Sequence, residues 1–107
     1  KGYIVVDIMS EESSVEQARL PGELALSHAC RVAIEEDKPV LFDYWGSSVG
    51  GTVIIGVREN GEKLLVKNEE EYTSPVRQMF RAQSELVVIT ENSIYLVADN
   101  VQSRKIS

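Results

Sequence analysis

Cysteine and histidine are nearly absent from this 107-residue sequence, which contains only Cys30 and His28. A single cysteine excludes an internal disulfide and is compatible with a reducing compartment, so we expect a cytoplasmic protein. Zinc sites normally use three or four protein ligands, most of them cysteine or histidine, so the sequence also argues against zinc. The D-x-D-x-D-G pattern of a calcium loop is missing as well, and we expect neither a metal nor a cofactor.

Long apolar runs and an excess of positive charge are missing too. Runs such as residues 4–6 are far shorter than the ~20 apolar residues that span a bilayer, and the sequence shows no secretory signal pattern. The net charge is −6 and the pI is near 4.8. Nucleic-acid binding depends on Lys and Arg that neutralise phosphates, so we expect no nucleic-acid partner and no membrane partner.

The composition that remains is typical of a folded globular domain. Hydrophobic residues make up 43% of the chain, charged residues 26%, and there are only 3 prolines. A chain of this length buries about 65% of the surface that it exposes when unfolded, which is enough for one core. The sequence contains no linker or repeat, so we predict a single domain over residues 1–107. Acidic runs such as residues 69–71 are interpreted as solvated surface.

The hydrophobic pattern predicts an α+β fold in the order β-α-β-β-β-α-β-β. The predicted elements are a strand over residues 2–9, a helix over 23–37, a strand over 39–45, a hairpin over 52–67, a short helix over 74–83 and a hairpin over 85–99. Hairpins are antiparallel, and a helix between the first two strands allows a parallel crossover. We therefore predict a mixed or antiparallel sheet of about six strands, with one main helix and one short helix.

Turn and capping residues support several of these elements. Ser74, an N-cap residue directly before Pro75, favours the short helix. The Asn60-Gly61 pair between two apolar runs predicts a type I′ turn, which needs positive φ at both central residues. The second hairpin is predicted to turn near Glu91-Asn92.

The main predicted helix has one apolar face. At 100° per residue this face contains Leu26, Ala29, Cys30, Ala33 and Ile34. We therefore expect Cys30 to be buried and inert, because a thiol on an apolar face acts as a small hydrophobic group. The single histidine, His28, is expected to face solvent.

The stretch DKPVLFDYW, residues 37–45, resembles the strand of thioredoxins that leads into their redox motif. This resemblance covers about nine residues, and it implies a degenerate thioredoxin-like fold as the alternative to our main prediction. Thioredoxin chemistry requires a C-x-x-C pair. Residues 46–49 are Gly-Ser-Ser-Val here, so no dithiol can form.

The next stretch, GSSVGGT, has two glycines at the spacing found in a P-loop. The lysine that contacts phosphate is missing, and a strand is predicted after the glycines where a P-loop requires a helix. We interpret residues 46–51 as a flexible connection in which glycine allows positive φ.

Polar and aromatic side chains around this connection are the best candidates for a binding site. Asp7 and Asp43 each interrupt an apolar strand, as a functional pair of acids would. Tyrosine and tryptophan are enriched at binding hot spots, although we expect Trp45 to be a core residue. The candidate binding residues are Asp7, Asp43, Tyr44, Trp45, Ser47 and Ser48, and none is assigned a catalytic role.

No complete set of nucleophile, base and orienting residue can be assembled from these side chains. The leading hypothesis is therefore a non-catalytic binding or accessory module that acts through a protein–protein surface. The alternative is a small-molecule-binding or hydrolytic domain with a site near Asp7, Asp43, Tyr44 and the loop from Gly46 to Gly51.

Self-association is the most specific partner prediction. The strand over residues 93–98 carries no charge, in contrast to the strand with Lys63 and Lys67, and we expect it at an edge of the sheet. We predict a two-fold homodimer through this strand or the apolar face that it carries, which the substitution Tyr95→Lys would weaken.

Overall fold

The computed structural model describes residues 19–106, which form two helices and two four-stranded mixed sheets. The elements are α1 (Glu23–Glu36), β1 (Val40–Leu41), α2 (Trp45–Val49), β2 (Ile54–Val57), β3 (Lys63–Asn68), β4 (Glu71–Tyr72), β5 (Val76–Ala82), β6 (Glu85–Thr90), β7 (Ile94–Ala98) and β8 (Gln102–Lys105). The predicted α+β class is confirmed. The strand predicted over residues 2–9 lies outside the described residues.

The strands divide between two sheets, whereas the sequence predicted one. Sheet A has the strand order β1-β7-β6-β5, and sheet B has the order β4-β3-β2-β8. The pairs β1–β7 and β2–β8 are parallel, and the other pairs are antiparallel. The prediction of a single sheet of about six strands is wrong. After β7 the chain leaves sheet A, and β8 pairs with β2, so the first hairpin belongs to a second sheet.

Sheet A lies in the middle of three layers. One face of sheet A, with Val87 and Ile89, packs against α1 and α2. Its other face, with Val88 and Val97, packs against Ile55 and Leu65 of sheet B. Successive side chains of a strand point to opposite faces, so β6 supplies apolar groups to both interfaces. Both β6 and β7 are therefore buried on two sides.

Helix α1 lies on sheet A through small side chains. Its buried residues are Ala25, Ala29 and Val32, and it ends at Asp37, which has a φ of 57°. The predicted apolar face was rotated by part of a turn, because Cys30 and Ile34 are exposed. Alanine and valine allow the helix backbone to approach the sheet closely, so packing favoured them over the larger Ile34. The prediction that Cys30 is buried is wrong.

The histidine prediction is also wrong. The His28 ring packs against the Phe80 ring with centroids 4.6 Å apart, and its Nε2 atom is buried without a hydrogen-bond partner among the described residues. Phe80 belongs to β5, which the sequence predicted as a helix. Because residues 74–83 were predicted as a helix, the contact between Phe80 and His28 was not predicted.

Residues 76–82 form the edge strand β5 of sheet A and not a short helix. The strand pairs antiparallel with β6, from Val76 opposite Thr90 to Ala82 opposite Glu85. Ser74, which was predicted to cap a helix, instead accepts a hydrogen bond from the Asn92 side-chain amide at 3.3 Å. Pairing with β6 outweighs the helix propensity of residues 74–83, because intrinsic propensity is weaker than tertiary contacts.

Both predicted hairpins are present, as β2–β3 and β6–β7. The first has a different turn from the predicted type I′, because only Gly61 has positive φ, at 92°. The Gly61 N–H donates to the Arg58 carbonyl at 2.9 Å, and the Asn60 side chain accepts from the Glu62 N–H at 2.9 Å. The loop is therefore one residue longer, with glycine in the left-handed position that follows a tight turn.

Strand β7 is an interior strand, so the proposed dimer surface was wrong. It pairs with β6 along its length and with β1 at Ile94 and Tyr95. Beyond β1, the Ala98 N–H donates to the Ser48 hydroxyl at 2.9 Å. A second copy cannot add to a strand that already has neighbours on both sides.

Candidate functional site

The loop singled out from the sequence forms the short helix α2 followed by a tight turn. The Trp45 N–H donates to the Phe42 carbonyl at 3.1 Å, and the Gly51 N–H donates to the Ser48 carbonyl at 3.0 Å. Gly51 has a φ of 84°, so one glycine does supply positive φ as expected. The segment is therefore a hydrogen-bonded helix and not an irregular connection, and the burial of Trp45 packs it on the core.

Trp45 is a core residue, as expected. Its side chain is buried, and the indole N–H donates to the Arg19 carbonyl at 2.6 Å. The Arg19 guanidinium lies 5.3 Å from the ring centroid and forms an ion pair with the buried Glu85 at 3.1 Å. This cation–π contact and the ion pair hold the start of the described chain on sheet A.

Ser48 is fully buried and acts within the fold. Its hydroxyl donates to the Trp45 carbonyl at 2.6 Å and accepts from the Ala98 N–H. The bond from Ala98 joins α2 to sheet A, whereas the bond to Trp45 lies within α2, and the fully buried hydroxyl is used as both donor and acceptor. Ser47 is partly buried, and its carbonyl accepts the Thr52 hydroxyl at 3.0 Å.

Tyr44 lies between the two sheets. Its ring contacts the Tyr95 ring edge-on, with centroids 5.2 Å apart, and the Lys67 ammonium lies 4.8 Å from its centroid. Burial is the main cause that raises the pKa of Tyr44 to about 12, with smaller contributions from Tyr95, Glu71 and Asp43. Burial also raises the pKa of Tyr95.

Asp43 lies in the exposed turn before α2, and Asp7 lies outside the described residues. The structure therefore shows Asp43, Tyr44, Trp45, Ser47 and Ser48 as chain neighbours with different roles. Within residues 19–106 no three His, Cys, Asp or Glu side chains come close enough to hold a metal ion. Ligand binding at these residues stays a prediction.

A concave surface lies elsewhere, on the face of sheet B that points away from sheet A. We call it the sheet B groove. It has a volume of about 780 Å³ and is lined by Thr52, Ile54, Arg58, Leu64, Val66, Lys67, Asn68, Glu69, Tyr72, Arg104 and Ile106. The register places Ile54 opposite Val66, and Val66 opposite Tyr72, so these three form one apolar row across β2, β3 and β4.

A glycine shapes the floor of the groove. A Cβ atom at Gly56 would lie 2.7 Å from the Ile106 Cδ1 atom and 3.0 Å from the Val66 Cγ2 atom. The missing side chain therefore lets Ile106 lie across β2. In a strand, glycine often marks such a close approach.

Charged side chains lie at the two ends of the groove. Glu69 is in the turn between β3 and β4 at one end, and Arg104 is in β8 near the other end. Arg58 lies beyond β2 at the same end as Arg104 and pairs with Glu62 at 3.5 Å. The groove is thus apolar in its centre and basic at one end, and its other end carries Glu69 together with Lys67.

Sequence reasoning missed this groove, although one signal was present. Residues 53–57 and 64–66 are apolar on both alternating faces. Such a pattern predicts a strand buried on both sides. In the structure one face meets sheet A, and no residue among 19–106 forms a further layer over the other.

Comparisons with known proteins add no relative. A scan against protein-family models, a search of curated proteins and a search of solved structures each found no match. The thioredoxin-like alternative therefore stays a prediction. In the described part of the chain, no helix is long and apolar enough to span a membrane.

Proposed function

We propose that this chain is a non-catalytic binding or accessory module, and that its protein–protein surface is the sheet B groove. The observation that carries the proposal is an apolar concave face with an exposed aromatic residue at its edge. Tyr72 is 54% exposed, and tyrosine is among the residues most enriched at binding hot spots. A groove with an apolar centre and a charged rim matches the composition of protein interfaces.

Two further proposals accompany this one. A homodimer, as predicted from the sequence, remains a proposal, although β7 is an interior strand and is not its surface. The cytoplasmic location is supported by the single cysteine, because a reducing compartment keeps such a thiol free.

The experiment compares two aromatic residues of similar exposure. Phe42 is 51% exposed and lies outside the groove, so Phe42→Asp is the matched control for Tyr72→Asp. The original chain and both variants serve as bait in extracts of the source cells. Each captured protein is identified, purified and titrated by calorimetry against the original chain and the two variants. We expect Tyr72→Asp to weaken binding by about tenfold or more, and Phe42→Asp to leave it unchanged.

A third variant, also used as bait, tests the alternative site near Asp43. The double variant Asp43→Ala with Ser47→Ala removes an exposed carboxylate and a partly buried hydroxyl near α2 without touching the groove. A partner that is lost with this double variant but retained by Tyr72→Asp would contradict the groove and favour the site near Asp43.

A further inference from the structure

The two charged ends of the groove are complementary to each other. Arg104 pairs in register with Gly56, and Gly56 pairs with Leu64, which lies four residues before Asn68 at the end of β3. Four residues of strand span about 14 Å, and β3 and β8 are two strands apart, which adds about 10 Å sideways. Glu69 and Arg104 therefore lie at diagonally opposite corners of one apolar face.

The charges near these corners have opposite signs. The corner at β8 contains Arg58, Lys63, Arg104 and Lys105, together with Glu59 and Glu62 of the hairpin loop. The opposite corner contains Glu69, Glu70 and Glu71, together with Lys67. Within residues 19–106 neither Glu69 nor Arg104 forms an ion pair.

From this arrangement we propose that the occupant of the groove is a second copy of this chain, packed face to face through sheet B. A two-fold axis in the plane of the interface, perpendicular to the line between the two corners, places Glu69 of each copy near Arg104 of the other. The contact occurs twice, as required for an interface that uses the same surface on both copies. This inference rests on the proposed function because it names the partner at the same surface.

The geometry is consistent with known ways of packing sheets. Rotation about this diagonal axis makes the strands of the two copies cross at a large angle, which is the orthogonal class of sheet packing. Ile54 and Val66 of the apolar row then lie near the centre, with Tyr72 towards the edge formed by β4. Sheet B is small, so the interface should be small as well, and we expect a dissociation constant in the micromolar range.

Charge reversal at Glu69 and at Arg104 tests the proposal, and a mixture of the two variants should restore the dimer. Glu69→Lys places two like-charged contacts in the dimer, and Arg104→Glu does the same with the opposite sign. We expect each variant alone to raise the dissociation constant at least about tenfold in sedimentation equilibrium. An equal mixture of the two variants restores both attractive contacts, so the mixed dimer should regain an affinity near that of the original chain.

Matched controls come from helix α1, outside the groove. Arg31→Glu and Glu35→Lys reverse exposed charges there, and we expect them to leave the dissociation constant unchanged. Higher salt should weaken the original dimer and the mixed dimer alike, because exposed charge pairs are screened. Circular dichroism of every variant confirms that the fold is retained.

Three results would overturn the inference. A monomer at all concentrations up to about 200 µM, well above the expected dissociation constant, would mean that a different protein occupies the groove. A dimer that ignores both charge reversals would use another surface. A mixture that fails to restore binding would show that the two corners do not meet. In each case the bait experiment with Tyr72→Asp still tests the proposed function separately.

Discussion

The Ser48 hydroxyl connects α2 to the end of β7 by accepting a hydrogen bond from the Ala98 N–H, while it donates to the Trp45 carbonyl within α2. Replacing Ser48 with Ala leaves the Ala98 N–H buried without a partner. An unsatisfied buried group costs about 1–3 kcal/mol, so we expect Ser48→Ala to lower the free energy of unfolding by that amount. Urea denaturation followed by circular dichroism measures it.

Ser47→Ala is the control for this prediction. The neighbouring serine is only partly buried, and none of the described hydrogen bonds uses its hydroxyl. We expect a change within about 0.5 kcal/mol, as for most surface substitutions. Equal losses in the two variants would show that the hydroxyl bridge does not stabilise the fold.

Tyr44 makes stability depend on alkaline pH. Its pKa is about 12 in the folded chain, because burial disfavours the phenolate, and is about 10 when unfolded. The folded state therefore holds its proton more tightly, so its contribution is complete below pH ~10 and is lost as pH rises towards 12. We expect the free energy of unfolding to fall by up to about 2 kcal/mol over this range from Tyr44 alone.

Tyr44→Phe separates this effect from other alkaline changes. The variant keeps the ring contact with Tyr95 but has no phenol to ionise, so the decline between pH 10 and 12 should become shallower. Tyr95 has a raised pKa as well, and its own contribution should remain. Identical pH profiles for the original chain and the variant would contradict the role of Tyr44.

Two glycines in different elements give opposite predictions for the same substitution. A Cβ atom would meet nothing within 4 Å at Gly46 in α2 or at Gly61 in the β2–β3 loop. Gly46→Ala should raise stability by about 0.4–1 kcal/mol, because alanine restricts the unfolded chain. Gly61 has a φ of 92°, so Gly61→Ala should lower stability by about 1–2 kcal/mol.

Thermal and urea denaturation of both variants check this pair of predictions. Because contacts are absent at both sites, the difference in sign isolates backbone conformation from packing. If Gly61→Ala were neutral, the loop would tolerate a different turn type, and the hairpin register would depend on its side chains alone.

Strand β5 shows how elements depend on their neighbours. Its side chains alternate, with Met79 towards sheet B and Phe80 towards His28 of α1. The same residues also fit a helical spacing, and Ser74-Pro75 is a good helix start. A short segment that satisfies both patterns takes the structure that its neighbours complete, here the free edge of β6.

The three layers share β6 and β7, and this shared pair of strands couples the unfolding of the layers. Val88 and Val97 of sheet A pack with Ile55 and Leu65 of sheet B, while their chain neighbours pack with the helices. Sheet B cannot open without exposing this common core, so the described layers should unfold together.

Hydrogen exchange tests this cooperativity. We expect the amides of Leu65 and Val88 to exchange with the same opening free energy, equal to that of global unfolding measured in urea. Trp45 fluorescence and far-ultraviolet circular dichroism should give coincident unfolding curves, since the only tryptophan reports on α2 and sheet A. A lower protection at Leu65 would mean that sheet B opens by itself.

The sequence by itself determined the features that depend on nearby residues. Helix α1, both hairpins and the core position of Trp45 follow from hydrophobic periodicity, turn residues and side-chain size over a few positions. Each is stabilised by contacts within a short segment or by simple burial, so local patterns suffice. The α+β class follows from the order of these segments.

Only the tertiary structure decided which strands share a sheet and where the open face lies. The β2–β8 pair joins residues far apart in the chain, and β8 has polar side chains with no strand pattern of its own. The helix pattern of residues 76–82 gave way to pairing with β6, and the position of Cys30 followed the close approach of α1 to sheet A. Long-range pairing and packing are properties of whole surfaces, so the sheet B groove became visible only when β2, β3, β4 and β8 were placed side by side.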